Sequence, residues 1–574
     1  MPKIWRERAS VKEDELKELP GYAEVVARVL YSRGVKTKDE AELFFKPEYG
    51  DLFDPLVLSG MEPACARIQK AIAAGEQITI YADYDADAVT AAAVLLLFFR
   101  EIGYKKINYY IPDRFSEGYG VNPEAVRRLA EDGTKLIITV DTGTNAHEAV
   151  KTANSAGVDV VVTDHHQVNN GLPPAAAVVN QHQAGDKYPF KDLTGVGVAF
   201  KLVQALIQRL PETGSSTSSR QVARGWEKWL LDLVAIGTVA DCQSLLGENR
   251  ILVKWGMYVL RKTKWLGLRR LIEVAEIDER TINAYAIGFQ IAPRINAAGR
   301  IDHAEKALKL LISEDEGEAT SLAYELNELN AKRQNLTDQI LSEARDQVVG
   351  QSGNKIRFAY DDNWPKGILG LVAGRLTNEF NRPVLVMSLA NGEVTGSARS
   401  IEGFSIIRAM KPAGGLFEKY GGHDQAAGFS LKEENLEDLK KGLLRYAEEH
   451  LDEDTLRPEA LYDARLEIED VNEELVDILE MFEPVGVNNP KPLFRLDRLE
   501  VRYPSQIGTD GKHLRFYVGE GAYSFSCIGF GLGSWAERIA SENRPIDVIC
   551  APQYNEWNGE RKIQLKITEL RFSE

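Results

Sequence analysis

The chain has 574 residues, 44% of them hydrophobic and 27% charged, and a net charge of -17. That length exceeds what one hydrophobic core usually holds, so three or four domains are expected, and the composition excludes disordered and fibrous classes. The acidic balance argues against a protein that coats nucleic acid non-specifically, while leaving room for a local basic channel. The longest apolar stretch, residues 86–99, contains Asp87 and is too short to span a bilayer. No signal peptide is expected, because the first eight residues carry charge instead of an apolar core. Cys65, Cys242, Cys527 and Cys550 are scattered without a C-x-x-C pair, and read as reduced thiols of a cytoplasmic protein.

Residues 1–50 read as an amphipathic helical arm, with Tyr22, Val25, Val26, Val29 and Leu30 near a period of 3.6 and a second short helix over 36–45. From Met61 helices and strands alternate, with strands at 78–81, 107–111, 136–140 and 158–163 and helices near 61–74, 91–99, 123–131 and 147–156. Such alternation predicts a parallel sheet with helices on both faces. Asp83, Asp85 and Asp87 follow the first of these strands, Asp141 follows the third, and Asp164-His165-His166 follow the fourth. Asp241 ends a further apolar segment, 233–240. Open α/β sheets bind ligands at the carboxyl ends of their strands. Convergent carboxylates repel unless a cation lies between them, and an oxygen-rich set suits Mg2+ or Mn2+ better than the thiolate sites of structural zinc. Singly, each acid also reads as a helix cap or a solvated turn. Their joint placement at one edge favours a metal site.

Residues 305–349 read as one long connecting helix, with Leu322, Leu326, Leu329, Leu336 and Ile340 as its apolar positions. A second α/β pattern begins near Lys355, with a helix over 369–380 and a strand over 383–388. Gly396-Ser397-Ala398-Arg399-Ser400 and Gly421-Gly422-His423 read as glycine-relieved turns whose amides can approach an anion. Beyond a polar linker from about 453, short strands at 493–496, 499–503, 514–518, 524–529, 546–551 and 562–567 suggest a small barrel. Its aromatics (Tyr503, Phe516, Tyr517, Tyr523, Phe525, Tyr554, Trp557) and its Arg502, Lys512, Arg515, Arg561 and Lys562 suit an OB-fold that stacks bases, although aromatics in small barrels more often form the core.

The set Asp83-x-Asp85-x-Asp87, Asp141, Asp164-His165-His166 and Asp241, in this order and spacing, resembles the DHH phosphoesterase superfamily. Residues 112–120 (Pro-Asp-Arg-Phe-Ser-Glu-Gly-Tyr-Gly) and 291–300 (Ile-Ala-Pro-Arg-Ile-Asn-Ala-Ala-Gly-Arg) resemble loops of its bacterial single-strand-specific 5' to 3' exonucleases. The two glycine-bearing segments, with Ala426-Ala427-Gly428-Phe429, resemble the superfamily's companion DHHA1 domain. The likeness runs from about residue 50 to the end. It implies an α/β multidomain protein with an N-terminal helical arm (1–50), a DHH-type parallel α/β catalytic domain (51–304) and a connecting helix (305–350). A DHHA1-type substrate-binding lobe (351–452) that closes over the catalytic lobe and an OB-fold-like β-barrel (453–574) complete it.

The same resemblance implies a metal-dependent exonuclease that hydrolyses single-stranded DNA processively from the 5' end to 5'-mononucleotides, in recombination and repair, with two divalent cations, Mn2+ or Mg2+. Asp85 would hold one cation with Asp83 in support, Asp87, His165 and Asp241 the other, and Asp141 would bridge them. His166 would face the scissile phosphate, with Asp164 orienting a histidine. Arg114, Arg294, Asn296, Arg300, Ser397, Arg399, Ser400, Gly421, Gly422 and His423 would bind the substrate. The implied partners are single-stranded DNA with a 5' end, a single-strand-binding protein and a helicase, with no membrane, and the chain is expected to act as a monomer. Ala88 stands where the family usually carries glycine, so its methyl group would crowd the turn if positive φ were needed there. Two alternatives differ in class: another phosphoesterase of the superfamily acting on short oligonucleotides or cyclic dinucleotides, and a catalytically inactive DNA-binding replication scaffold. The terminal barrel argues against the first, and the retained, mutually repelling acids argue against the second.

Overall fold

The computed structural model describes residues 3–114, 116–118, 120–209, 222–519, 521–557 and 559–574; Phe115, Tyr119 and the side chain of Trp557 lie outside the described residues. Five parallel strands form one sheet in the spatial order Ile107–Tyr110, Ile78–Ala82, Leu136–Val140, Asp159–Thr163 and Ala177–Val179. Runs of Ile, Leu and Val fill its middle strands because both faces are covered. On one face Val126, Leu129, Val150 and Ala153, from helices Pro123–Glu131 and His147–Ser155, pack on Ile137, Val160 and Val162. The helix Ala86–Glu101 lies against the sheet too. It is apolar nearly all round because helices Gly195–Gln208 and Leu231–Ala240 enclose it. Ala82 stands opposite Val140, and Val140 opposite Thr163, so the residues leaving these three strands emerge level with one another.

The chain divides into two compact units, one holding Arg294–Lys306 and Tyr324–Glu459, the other Trp5–Pro293, Ala307–Ala323 and Ala460–Glu574. In the first, five strands run in the order Phe417–His423, Ala426–Lys432, Glu393–Arg399, Val384–Ala390 and Arg357–Asp361, antiparallel except for the last pair. Helix Leu369–Phe380 packs on Val384 and Val386, and helix Leu436–His450 on Leu385 and Met387, as the alternation of a strand demands. Both glycine-bearing segments expected as turns prove to be strands. Gly396 serves packing, since a Cβ there would meet the Phe429 ring at 2.2 Å, and Gly422, at a φ of 145°, serves the close approach of the Ala426 carbonyl. The single helix expected over 305–350 is also two, Glu305–Ile312 and Glu316–Val349. Asp315 accepts a hydrogen bond from the Glu318 amide and caps a fresh start.

The C-terminal sheet is mixed and mostly antiparallel, in the order Ala464–Arg465, Phe494–Leu499, Ile546–Trp557, Glu560–Phe572, Phe525–Gly529, His513–Val518 and Val501–Ile507. Its long hairpin, Ile546–Trp557 with Glu560–Phe572, extends well past the expected strands, and helices Glu473–Glu480 and Trp535–Glu542 are additional. Phe516 and Phe525 are core residues, whereas Tyr503, Tyr517 and Tyr523 are exposed. The N-terminal arm opens with a strand, Ile4–Glu7, instead of a helix, and it has no core of its own. Val26, Val29, Leu30, Phe44 and Phe45, from helices Glu24–Ser32 and Lys38–Phe45, share one core with Phe482, Phe494, Leu514 and Val548. Among the described residues no helix is long and apolar enough to cross a membrane.

Candidate metal centre

Each acid reaches the sheet edge for a local reason. Asp83 follows the strand Ile78–Ala82 directly and is buried. Asp85 is the N-cap of helix Ala86–Glu101, accepting from the Ala88 amide at 3.0 Å. Ala88 therefore lies in the first helical turn, not at a positive φ, and its methyl group is accommodated there. Asp87 accepts from the amides of Gly195 at 2.6 Å and Val196 at 2.9 Å, which begin the helix Gly195–Gln208. Asp141 leaves its strand at a φ of 57°, a left-handed conformation that Asp adopts more readily than most residues, and its amide bonds the Thr163 carbonyl at 3.0 Å. Asp241 is the C-cap of the helix Leu231–Ala240.

Asp87, Asp141 and Asp241 converge on His165, whose Nε2 lies 3.0 Å from Asp141 Oδ1, 3.8 Å from Asp241 Oδ2 and 3.9 Å from Asp87 Oδ2. Among the described residues, two sets of three donor atoms each lie within 4.8 Å of one another: Asp87, His165 and Asp241, and Asp141, His165 and His166. Asp83 and Asp85 belong to neither set, yet the charge of Asp85 acts on Asp83, Asp87, Asp141 and Asp241. Asp83 Oδ1, Asp141 Oδ1 and Asp241 Oδ2 are buried and accept no hydrogen bond from the described residues. Carboxylate oxygens left this way are costly. Hard oxygens joined by an imidazole suit Mn2+ or Mg2+, so the residues fit the cations that the sequence implies.

Burial, then the charge of Asp85, pushes the Asp83 carboxyl up to about 8 and that of Asp241 up to about 7. Burial and neighbouring carboxylates hold Asp87 and Asp141 well above the usual carboxylate range. Burial lowers His165 to about 4, which keeps its ring neutral, the form that ligates metal. Asp164 moves the other way. Burial opposes its charge, but the His166 ring at 2.7 Å and the amides of Thr144, His165 and His166 hold it below the usual range. Against the pull of burial, Asp164 in turn raises His166 to about 9, so that imidazole is protonated at neutral pH. Asp164 thus positions His166.

A carboxyl whose folded pKa is raised holds its proton longer in the fold than in the unfolded chain. It contributes stability at low pH that is lost as the pH rises through 7 to 8 for Asp241 and Asp83, and His166 adds a loss of the same sign toward 9. In EDTA the melting temperature is therefore expected to fall between about pH 6.5 and 8. Saturating Mn2+ is expected to raise it more at the upper end. An equal gain at both ends of a melting series would contradict this electrostatic account.

Two glycines that sequence reasoning missed let the enclosing helices approach the acids. A Cβ at Gly195 would stand 2.4 Å from Asp141 Cβ, and one at Gly237 would stand 2.4 Å from Thr90 Oγ1 and 2.8 Å from Asp87 Oδ1. Gly237 stands inside an otherwise bulky apolar helix, whereas Gly195 opens its helix and carries no such mark. Gly237→Ala is expected to displace Asp87 and to cut metal-dependent turnover about a hundredfold, the usual consequence of misplacing a reacting group by about 1 Å. Steady-state kinetics would check this, and a wild-type rate would rule it out.

The residues expected to bind substrate fall into both units. Arg114 lies over the Tyr84 ring, its guanidinium carbon 4.8 Å from the centroid, and its charge reaches Asp83. In the other unit Arg294 donates to Asn327 Oδ1 at 3.0 Å and Arg300 to the Gly367 carbonyl at 3.4 Å, with Asn296 on the same helix, Ala292–Ile301. Arg399 donates to Ser397 Oγ and to the Ala398 carbonyl, each at 2.9 Å. Gly421, Gly422 and His423 are exposed at the end of the strand Phe417–His423. The Ser400 hydroxyl is engaged with the Phe404 carbonyl at 2.6 Å.

Comparison with known proteins places this geometry in a family. Residues 77–238 match the N-terminal domain of the DHH family, 353–449 the DHHA1 domain and 462–569 the RecJ OB domain. The single-stranded-DNA-specific exonuclease RecJ of Bacillus subtilis is 38% identical over 553 residues, spanning 96% of this chain and 68% of that protein. Its namesake in Escherichia coli is 34% identical over 97% of each chain. The crystal structure of RecJ from Thermus thermophilus in complex with Mn2+ aligns with a TM-score of 0.83 at 30% identity, covering 100% of this chain and 80% of that one. The corresponding Mg2+ complex aligns at 0.77 and 29%, covering 100% and 79%. With sequence and fold alike shared over nearly its whole length, this chain belongs to the RecJ family.

Proposed function

We propose that the chain is an exonuclease that hydrolyses single-stranded DNA processively from the 5' end to 5'-mononucleotides, in DNA recombination and repair. The observation that carries this reading is the meeting of Asp87, Asp141 and Asp241 on His165, with buried, donorless oxygens on Asp83, Asp141 and Asp241, in a chain whose family members are named single-stranded-DNA-specific exonucleases. Asp87, His165 and Asp241 would hold one divalent cation, Mn2+ or Mg2+, Asp85 supported by Asp83 a second, and Asp141 would stand between them. Such a pair, when bound, supplies an acidified water and screens the charge of the leaving oxygen. Asp164 locks the His166 ring through Nδ1, so that Nε2 donates to the scissile phosphate and hands a proton to the departing 3' oxygen. Arg114, Arg294, Asn296, Arg300, Ser397, Arg399, Gly421, Gly422 and His423 hold phosphates, the arginine fork matching two phosphate oxygens at once. Ser400 shapes its loop through Phe404. The 5' polarity follows from recognition of a terminal 5' phosphate.

In this reading residues 51–304 form the catalytic domain, 305–350 the connecting helices, 351–452 the substrate-binding domain and 453–574 the nucleic-acid-binding domain, with which the arm 1–50 shares its core. All proposed ligands come from one chain, which supports a monomer. Four free thiols support a cytoplasmic setting. A substrate without a complementary strand calls for a helicase and a single-strand-binding protein as partners. The test is a time course on 5'-phosphorylated single-stranded DNA labelled internally and at the 3' end, with Mn2+, Mg2+ or EDTA, beside duplex and single-stranded RNA. Metal-dependent release of 5'-mononucleotides with the 3' label lost last is expected. Binding without cleavage under every metal would make the protein a scaffold, and cleavage confined to very short strands would make it a different phosphoesterase.

A further inference from the structure

Two large aromatic side chains outside the metal centre stand open to solvent together. Tyr285 and Phe289 are 60% and 67% exposed, and their rings stack at 4.7 Å between centroids with 24° between planes. Scattered exposed apolar residues are ordinary, but two rings stacked on each other form a short aromatic column that stands open to solvent, an apolar ledge. The backbone beneath it is unusual. Ile287–Ile291 has π-type hydrogen bonding between helices Ala284–Ala286 and Ala292–Ile301, and π turns concentrate at functional sites. The ledge is also held rigidly from behind. Ile287 and Ile291 are buried, Asn283 caps the Ala286 amide at 2.9 Å, and the Ala284 amide donates to Glu483 at 2.9 Å. Gly288 lies against Val239, whose Cγ1 would be 3.3 Å from a Cβ at 288. Val239 belongs to the helix Leu231–Ala240, which Asp241 caps, so one rigid helix carries both a proposed metal ligand and the seat of the ledge.

We propose that Tyr285 and Phe289 form a stacking platform for one unpaired nucleobase of the strand whose 5' end is being hydrolysed; this deepens the exonuclease reading and rests on it. The chemistry favours a base over other occupants. The two rings cover each other's inner faces and leave the outer side of the stack to solvent, where a base can extend it; every base has a π-face, so stacking there is tolerant of sequence as processive degradation requires. A base inside a duplex has both faces covered by its neighbours. The platform therefore also discriminates in favour of single strands, because only an unstacked base can lie on it.

The experiment uses the full chain with Mn2+ and 5'-phosphorylated oligodeoxythymidylates in which a run of abasic residues is moved stepwise from the 5' end. For the wild type, KM is expected to rise about tenfold when the abasic run reaches the platform and little elsewhere, in line with stacking energies of about 1–3 kcal/mol per base. Phe289→Ala is expected to show a KM-against-kcat split, KM rising about tenfold on the intact strand while kcat moves less than about twofold, and to lose the dependence on abasic position. Phe289→Trp is expected to restore both. Because the side chain is exposed, the variants should melt with the wild type, and Tyr285→Ser provides an independent second disruption of the ledge. An unchanged KM and an unchanged abasic profile in Phe289→Ala and Tyr285→Ser would overturn the proposal and leave the ledge as a surface for a protein partner. Failure of the underlying reading is separable, because a wild-type protein that degrades no single strand shows it before any variant is made.

Discussion

Asp141→Asn is expected to lower metal-dependent cleavage of single-stranded DNA by about a thousandfold or more, and at the same time to raise the melting temperature of the metal-free protein. Asn is the informative replacement because it keeps the shape and tolerates the left-handed φ of 57°, where Ala would add strain of its own. Asp141 is buried, its Oδ1 lies 3.0 Å from His165 Nε2, and repulsion from Asp87, Asp85 and Asp241 adds to burial in disfavouring its charge. Removing that charge relieves the metal-free fold. It also removes an anionic ligand from between the proposed cations, where charge stabilisation is worth several kcal/mol and each ~1.4 kcal/mol is tenfold in rate. Single-turnover rates in Mn2+ and melting curves in EDTA measure the two effects on one protein. A rate within tenfold of wild type would exclude Asp141 from the centre, and a lower melting temperature in EDTA would show that its charge supports the fold instead of straining it.

Arg250→Met is expected to loosen the joint between the helix Gly247–Leu260 and the C-terminal domain by about 3–5 kcal/mol, the usual consequence of deleting one side of a buried charged network. Arg250 is 2% exposed on the helix Gly247–Leu260, and it donates to five carbonyls. One belongs to Phe44 in the N-terminal arm, at 2.7 Å, and four to the turn Met481, Phe482, Glu483 and Pro484, at 2.8 to 3.4 Å. Burial lowers its pKa to about 9 against the opposing charge of Glu483, so the charge is retained at neutral pH. Met keeps an apolar stem of similar length, but it removes the guanidinium that lies 3.7 Å from the centroid of the Phe44 ring and leaves the carbonyls without donors. Hydrogen exchange of amides in the shared core should accelerate by about a thousandfold while those of the parallel sheet change little. Unchanged exchange in the C-terminal core would mean that apolar packing alone holds the joint.

The acids of the centre were legible because each terminates a run whose periodicity identifies a buried strand or helix. Asp83, Asp141 and Asp164 follow strands, and the parallel register sets all three at one level. The roles of Gly195 and Gly237 were not legible, since a glycine's value there depends on which side chain stands opposite, and Asp141 and Asp87 are distant in sequence. Gly396 and Gly422 misled for a related reason. Glycine prefers turns locally, but the Phe429 ring and the Ala426 carbonyl required it within paired strands. The shared core of the arm and the last domain was equally hidden. It joins residues more than four hundred positions apart, as the buried Arg33–Asp463 ion pair does, and no local pattern reports such a contact.

By itself, then, the sequence determined the kinds of element, their order and the chemistry at their ends: carboxylates and an imidazole after strands that must be buried. Backbone sterics and side-chain periodicity act over a few residues, and a sequence states those directly. Only the tertiary structure decided that Asp87, Asp141 and Asp241 meet on one nitrogen of His165, that one oxygen each of Asp83, Asp141 and Asp241 is left without a donor, and that Asp164 holds the neighbouring His166 protonated. Distances, burial and mutual charge are properties of packing between segments remote in the chain, and they turn a set of acids into a place for cations.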